Sequence, residues 1–323
     1  MKKDKNSKLF EWVGGKTWLG EELRNINNTI LNNNKNIEYY IEPFVGSMGS
    51  FLEVFSILKE NGITNFILND INSSIIYTYE EIKKDYKSLF NEYYKIEKEF
   101  HKLIPGDAFS LHKTKDKDFL KLFLQPAYSF YLSKRFEYNE LRKEKNKYKH
   151  RISVLFLFLQ KHCFNGIYRE NFKGEMNTSF DWSCYHLNFL DEKLKVFENF
   201  SKIFNENNFI FYNEDVNFII DKYKNKNALW YFDPPYLTNN ALIKENKYNE
   251  KEFDLAQQLK LIDNIKSLDN VIYSNHDLVI LEDELIKDNF EIKKVLRNNN
   301  VAGKVENRKN KISEILAYKT KGI

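Results

Sequence analysis

The stretch "YYIEPFVGSMGSFLEVFSILKENGITNFILND", Tyr39 to Asp70, constrains the fold of this chain more than any other. It opens on an apolar run suited to a buried strand and then turns through glycines. Phe51, Val54, Phe55 and Leu58 follow at i, i+3, i+4 and i+7, the apolar face of a helix. Asn61-Gly62 is a helix stop, and "NFILND" reads as a second strand ending in an acid. The pattern is a β-turn-α-β unit.

A second series begins near Phe209: "FIFYNED", "ALWYFDPPY", the helical "EKEFDLAQQLKLIDNIKSL", then "NVIYSN". Strands alternating with helices predict a mostly parallel sheet. The closing "FEIKKVLRN" and "ISEILAYK" predict a terminal strand pair joined by a polar loop. Between the two series, from about Ile75 to Leu190, the chain is rich in Lys, Tyr and Phe at helical spacing. Two parts of one α/β domain, 1–74 and 191–323, are therefore expected to flank an inserted helical domain, 75–190.

Charge is unevenly placed. Leu111 to Arg151 carries 12 Lys/Arg against 5 Asp/Glu, and Lys293 to Lys311 carries 7 against one Glu. Either cluster alone reads as a solvated face; together they suit a polyanion. No apolar run approaches membrane-spanning length, and "MKKDKNSKLF" lacks the apolar stretch of a secretory signal. Two cysteines, Cys163 and Cys184, make no disulfide framework, so a reducing cytoplasm is expected.

The chain has five prolines, and two stand together in "DPPY", Asp233 to Tyr236. An exocyclic base amine is a poor nucleophile because its lone pair is delocalised into the ring. Methylating it calls for acceptors that hold both hydrogens and for dipoles that meet the charge developing on nitrogen. Asp233 and the Pro234 carbonyl fit that need, held still by rings that fix φ and keep the loop out of the sheet ladder. Tyr236 offers a face on which an extruded base can stack. The preceding "LWYF" puts the loop at the carboxyl end of a strand, where open α/β sheets bind ligands.

In "EPFVGSMGS", Gly46 and Gly49 let the backbone turn tightly beside a ligand, or serve only as a structural turn. Asp70, 24 residues after Gly46, has the geometry of an acid that accepts from a ribose. "FEWVGGKTWLG" gathers Trp12, Gly14, Gly15 and Lys16; by itself it is equally an amphipathic segment with a glycine turn. His162, Cys163, Cys184 and His186 lack the ligand spacing of a zinc site, and no metal is expected.

Taken in order, "WVGGK", "EPFVGSMGS", the basic middle and "DPPY" resemble the Dam-type DNA adenine N6-methyltransferases, the alpha group of amino methyltransferases. "ILNDINSSII", "SNHD" and "KNKISEILAYK" extend the resemblance over nearly the whole chain. It implies a Rossmann-like, mostly parallel sheet with a terminal antiparallel strand and an inserted helical target-recognition domain. It implies S-adenosylmethionine as methyl donor, held by Trp12, Lys16, Phe44, Gly46, Asp70 and Asp233, with Asp215 or Glu214 near the donor's adenine. The acceptor would be an adenine flipped from double-stranded DNA, with Asp233, Pro234 and Tyr236 at the reacting amine. Within the insertion, "FNGIYRENFKGEMNTSF" resembles the family's DNA-reading hairpin. Phe164 and Asn165 would enter the duplex where the base leaves, and Arg169 would read a guanine edge. GATC is the implied target, and a restriction endonuclease is a possible functional partner. Met48 stands where the family usually has a second glycine, and Ser179 where close relatives have proline. Two other readings remain open: a methyltransferase acting on RNA or on a protein amide, and a catalytically decayed shell that only binds DNA.

Overall fold

The computed structural model describes residues 8–12, 15–104, 117–144, 146–182, 190–236, 253–298 and 311–321. The chain divides into two compact units. One comprises 16–45, 49–71 and 208–323; the other comprises 1–15, 46–48 and 72–207.

The first unit is built on a seven-stranded sheet in the order β3-β2-β1-β4-β5-β7-β6. Its strands are β1 (Tyr39–Glu42), β2 (Asn65–Asn69), β3 (Asn208–Tyr212), β4 (Ala228–Phe232), β5 (Asn270–His276), β6 (Glu291–Asn298) and β7 (Lys311–Lys319). The pairs β2–β3, β1–β2, β1–β4 and β4–β5 are parallel. The closing strand pair supplies the antiparallel pairing, because β7 slots between β5 and β6 and runs against both.

Period-2 alternation splits the side chains between two covered faces. On one face Ile41, Ile67, Trp230, Phe232, Val271 and Tyr273 pack with helices α8 (Val216–Tyr223), α9 (Leu255–Ile265) and α10 (Val279–Lys287). On the other, Tyr40, Phe66 and Phe209 surround Phe51 of α2 (Gly49–Glu60), with ring centroids 5.4–5.8 Å from it. Helix α1 (Gly20–Asn33) packs along α2. The predicted stop after α2 is a Schellman turn. Gly62 has φ +82°, its N–H bonds to the Lys59 carbonyl, and the Ile63 N–H bonds to that of Leu58.

The second unit is helical, with α3 (Ser73–His101), α4 (Lys117–Phe123), α5 (Gln125–Arg142), α6 (Lys149–His162) and α7 (Leu190–Asn205). The Asn72 side chain caps α3 by accepting from the Ser74 N–H, and Asp85 kinks that helix at φ −158°, ψ 82°. Helix α3 packs along α6 and α7. Between them Glu97 is fully buried and takes His162 Nε2 at 3.0 Å and Lys161 Nζ at 2.6 Å. Burial alone would raise its pKa; the contacts with His162 and Lys161 outweigh that and hold it at about 2.

A short hairpin follows α6, bridged at Cys163–Phe180 and Glu170–Met176. Side chains of α5 clamp it. Asn139 bonds both the N–H and the carbonyl of Met176, and Arg135 and Tyr131 both donate to the Thr178 carbonyl. Arg142 pairs with Glu170 at 2.7 Å.

Candidate active site

All five residues of β4 are buried, and Asp233 is the first residue beyond the strand. Among the described residues its carboxylate is held on one oxygen. Oδ1 accepts from Ser274 Oγ of β5 at 2.8 Å and from Lys16 Nζ at 3.0 Å. Tyr231 shares a hydroxyl–hydroxyl bond with Ser274 beneath, at 3.1 Å. Lys16 is only 4% exposed, and its ammonium stands 4.2 Å from the centroid of the Tyr236 ring. Asp233 is 15% exposed.

Tyr236 is fixed at both ends. Its hydroxyl donates to Glu314 Oε2 at 3.2 Å, and its ring meets the His276 ring edge-on, centroids 4.8 Å apart. Burial, the Asp233 charge and the Glu314 charge push its phenol well above the ordinary range. Glu42, at the end of β1, is wholly buried and accepts from the Tyr40 hydroxyl at 2.8 Å and from the Ser50 hydroxyl. Burial raises its carboxyl to about 8. The two hydroxyl donors pull against that rise, and the Asp233 charge adds to it.

The other expected donor-binding residues of this unit lie along the same edge of the sheet. Phe44 follows β1, Asp70 follows β2 and Asp215 follows β3, while Asp233 follows β4. Strand order makes these four ends a row three strand spacings long, roughly 14 Å. The row includes the β1–β4 switch point, where successive connections leave in opposite directions. Asn69, 2% exposed, joins the loops: its amide donates to the Pro43 and Glu214 carbonyls and accepts from the Glu214 N–H. Asp215 has a structural task, capping α8 through Oδ1 to the Asn217 N–H at 2.8 Å. Lys16, Phe44 and Asp70 carry the ammonium, ring and carboxylate that a ligand with carboxylate, base and ribose diol would call for.

In the helical unit Gly46 has φ +46°, and a Cβ there would come within 2.9 Å of the Trp12 ring. Tyr79 donates to the Gly46 carbonyl at 2.5 Å. Trp12 also lies against Tyr168, centroids 5.6 Å apart. Met48 takes the left-handed conformation itself, at φ +62°, with its side chain fully buried. The turn thus keeps a backbone shape that glycine adopts more cheaply.

On the hairpin, Phe164 is 53% exposed and Asn165 has φ +55°. Arg169 is exposed, with Nε donating to Asn177 Oδ1 across the hairpin at 2.8 Å. Cys163 is buried, which pushes its thiol up to about 12, while Cys184 and His186 lie outside the described residues. Gly14 lies outside them too. Among the described residues no cluster of three or more His, Cys, Asp or Glu has metal-binding geometry, and no helix is long and apolar enough to cross a membrane.

Lys16, Asp233 and Tyr236 are brought into contact as a single cluster. Ser274 and Glu314 bond to it and Glu42 feels the Asp233 charge; sequence reasoning had given none of the three a role, although "SNHD", "ISEILAYK" and "EPF" contain them.

A doubly wound sheet with an acidic D-P-P-Y loop at its switch point defines an amino methyltransferase. Residues 12–302 match the model of the D12 class N6 adenine-specific DNA methyltransferases, and the chain belongs to that family. It is 30% identical to the type II methyltransferase M.MjaIII of Methanocaldococcus jannaschii, over 95% of this chain and 97% of that protein. It is 25% identical to the DNA adenine methylase of Serratia marcescens, covering 97% and 98% of the two chains. Identity to the DNA adenine methylase of Escherichia coli K12 is also 25%, over 99% and 97%.

Proposed function

We propose that this adenine-specific DNA methyltransferase acts on an adenine flipped out of duplex DNA, with S-adenosylmethionine as donor and GATC as target sequence. The observation that carries the reading is the one-sided grip on Asp233. Ser274 and Lys16 both bond Oδ1, and among the described residues no donor is assigned to Oδ2. Oδ2 is then the acceptor for one hydrogen of the 6-amino group, and the Pro234 carbonyl is the acceptor for the other. With both hydrogens held, the nitrogen lone pair is drawn out of conjugation.

Bound donor supplies an electrophilic methyl group. The amine nitrogen bonds to the methyl carbon, the carbon–sulfur bond breaks, and the amine's surplus proton leaves to solvent. Lys16 offsets charge at Asp233 and lies over one face of the Tyr236 ring; Tyr236 is the residue on which the flipped base stacks. Trp12, Lys16, Phe44, Gly46, Asp70 and Asp233 are the donor-binding residues in this reading. Asp215, which caps α8 through Oδ1, or else its neighbour Glu214, stands near the donor's adenine in this reading. Phe164, Asn165 and Arg169 are the DNA-contacting residues. Residues 75–190 are the target-recognition part in the same reading, the protein works in the cytoplasm, and a restriction endonuclease is a candidate functional partner.

Transfer of tritium from labelled S-adenosylmethionine tests this directly. Label should enter duplex DNA with GATC, not a duplex with that site scrambled, RNA or protein. Asp233→Ala should abolish transfer while DNA binding persists; continued turnover would remove Asp233 from the chemistry. Label in RNA would favour an RNA methyltransferase. Calorimetry without donor heat would favour a decayed shell.

A further inference from the structure

Within the proline pair of the Asp-Pro-Pro-Tyr loop, one backbone torsion has no steric lock. Pyrrolidine rings fix φ at Pro234 and Pro235. Asp233 and Pro234 each precede a proline, so their ψ angles are held extended. Pro235 precedes Tyr236, and its ψ has no such restraint. That torsion, together with the φ of Tyr236 itself, sets the direction in which Tyr236 leaves the loop.

A buried amide occupies the position from which it can be held. Gln258 is fully buried in the first turn of α9, and its Nε2 donates to the Pro235 carbonyl at 2.7 Å. Its Oε1 accepts from the Tyr273 hydroxyl at 2.7 Å and from Asn275 Nδ2 at 3.1 Å. Asn275 Nδ2 also donates to the Tyr273 oxygen at 2.8 Å, and Asn275 Oδ1 accepts from the His276 N–H at 2.8 Å. Burial keeps the Tyr273 phenol above its ordinary range, so it remains a donor. This pattern permits one amide orientation. Turned over, Gln258 would aim its oxygen at the Pro235 carbonyl and its NH₂ at the Asn275 NH₂.

Helix phase is fixed as well. Asp254 and Gln257 form a reciprocal capping box, each side chain bonding the other's backbone N–H, so the first turn presents Gln258 inward. Both Gln258 partners on the sheet come from β5, the strand that supplies Ser274 to Asp233 and His276 to Tyr236.

We infer that Gln258 is a positioning residue, whose amide pins the Pro235 carbonyl to β5 and so aims the Tyr236 ring at the acceptor base. The inference rests on the proposed role of Tyr236 as the stacking face. Gln258 touches neither donor nor base; it acts through the peptide between Pro235 and Tyr236. A side chain that keeps the acceptor and loses the donor releases this torsion while leaving the Tyr273 and Asn275 bonds in place.

The test is single-turnover methylation of duplex DNA by the full chain and its variants, from about pH 6 to about pH 9. Gln258→Met should slow transfer roughly 100-fold, with donor affinity changed by no more than about twofold. Gln258→Glu should be faster at low pH, where the neutral acid can donate to Pro235, and should fall about tenfold relative to the parent as the carboxylate forms. Parental rates in folded Gln258→Met, or a Gln258→Glu loss that does not vary with pH, would overturn the inference. If Gln258→Met does not fold, the Gln258→Glu profile decides alone. Tyr236→Ala separates the two levels. Parental turnover in that variant sinks the stacking role and this inference with it, whereas a slow Tyr236→Ala beside unimpaired Gln258 variants sinks the inference alone.

Discussion

Lys16 Nζ lies 3.0 Å from Asp233 Oδ1, and the lysine is almost wholly buried. Removing one partner of such a pair leaves a charge with poor solvation. Lys16→Met should therefore cost about 3 kcal/mol of unfolding free energy, measured by urea titration. The double variant Lys16→Met/Asp233→Asn should recover at least half of that loss, as expected for coupled residues. Additive losses would show that the pair contributes nothing as a pair.

Ser274 donates to the same carboxylate oxygen from the neighbouring strand, at 2.8 Å. Ser274→Ala deletes that bond without altering the sheet pairing. Stability should drop by about 1 kcal/mol. The single-turnover methylation rate should drop about tenfold, because Asp233 then keeps only the Lys16 contact and turns more readily away from the amine. An unchanged rate would mean that Lys16 alone orients the carboxylate.

Glu42 makes stability depend on pH. Burial raises its carboxyl from 4.5 to about 8, so the folded state keeps a proton that the unfolded chain releases. Its contribution is complete below the unfolded value and is lost as pH rises through the folded one. Between those limits the loss is at most about 1.4 kcal/mol per pH unit. Glu42→Gln should flatten this decline, seen as a growing stability advantage over the parent from about pH 5 to about pH 8 in urea titrations. A constant difference across that range would refute the buried protonated acid.

Arg169 reaches across the hairpin to Asn177 through Nε, and the residue is exposed. Arg169→Ala should relax discrimination by about 1–3 kcal/mol at one base pair of the target. Methylation of duplexes carrying each single mismatch measures it. An unaltered preference at every position would remove Arg169 from the readout.

Much of the sheet unit was legible from local pattern. Apolar runs closed by Glu42, Asp70, Asp215 and Asp233 became β1 to β4, and the spacing of Phe51, Val54 and Leu58 became α2. Gly46 and Gly62 hold the positive φ angles that their turns need. Asp215 shows where such reading stops. It was legible as an acid after a strand, but its Oδ1 caps the next helix, a choice set by the local path of the chain.

The sequence by itself determined which segments are strands and helices, and which residues carry acid, amide or ring at their ends, because periodicity and turn chemistry act over a few residues. Only the tertiary structure decided who meets whom. Ser274 is 41 residues from Asp233, and Gln258 is 23 from Pro235. Their bonds exist because β4 pairs with β5 and α9 packs beside them. A hydrogen bond needs its two atoms within about 3 Å. That closeness is created by strand order and burial, which no short stretch of chain encodes.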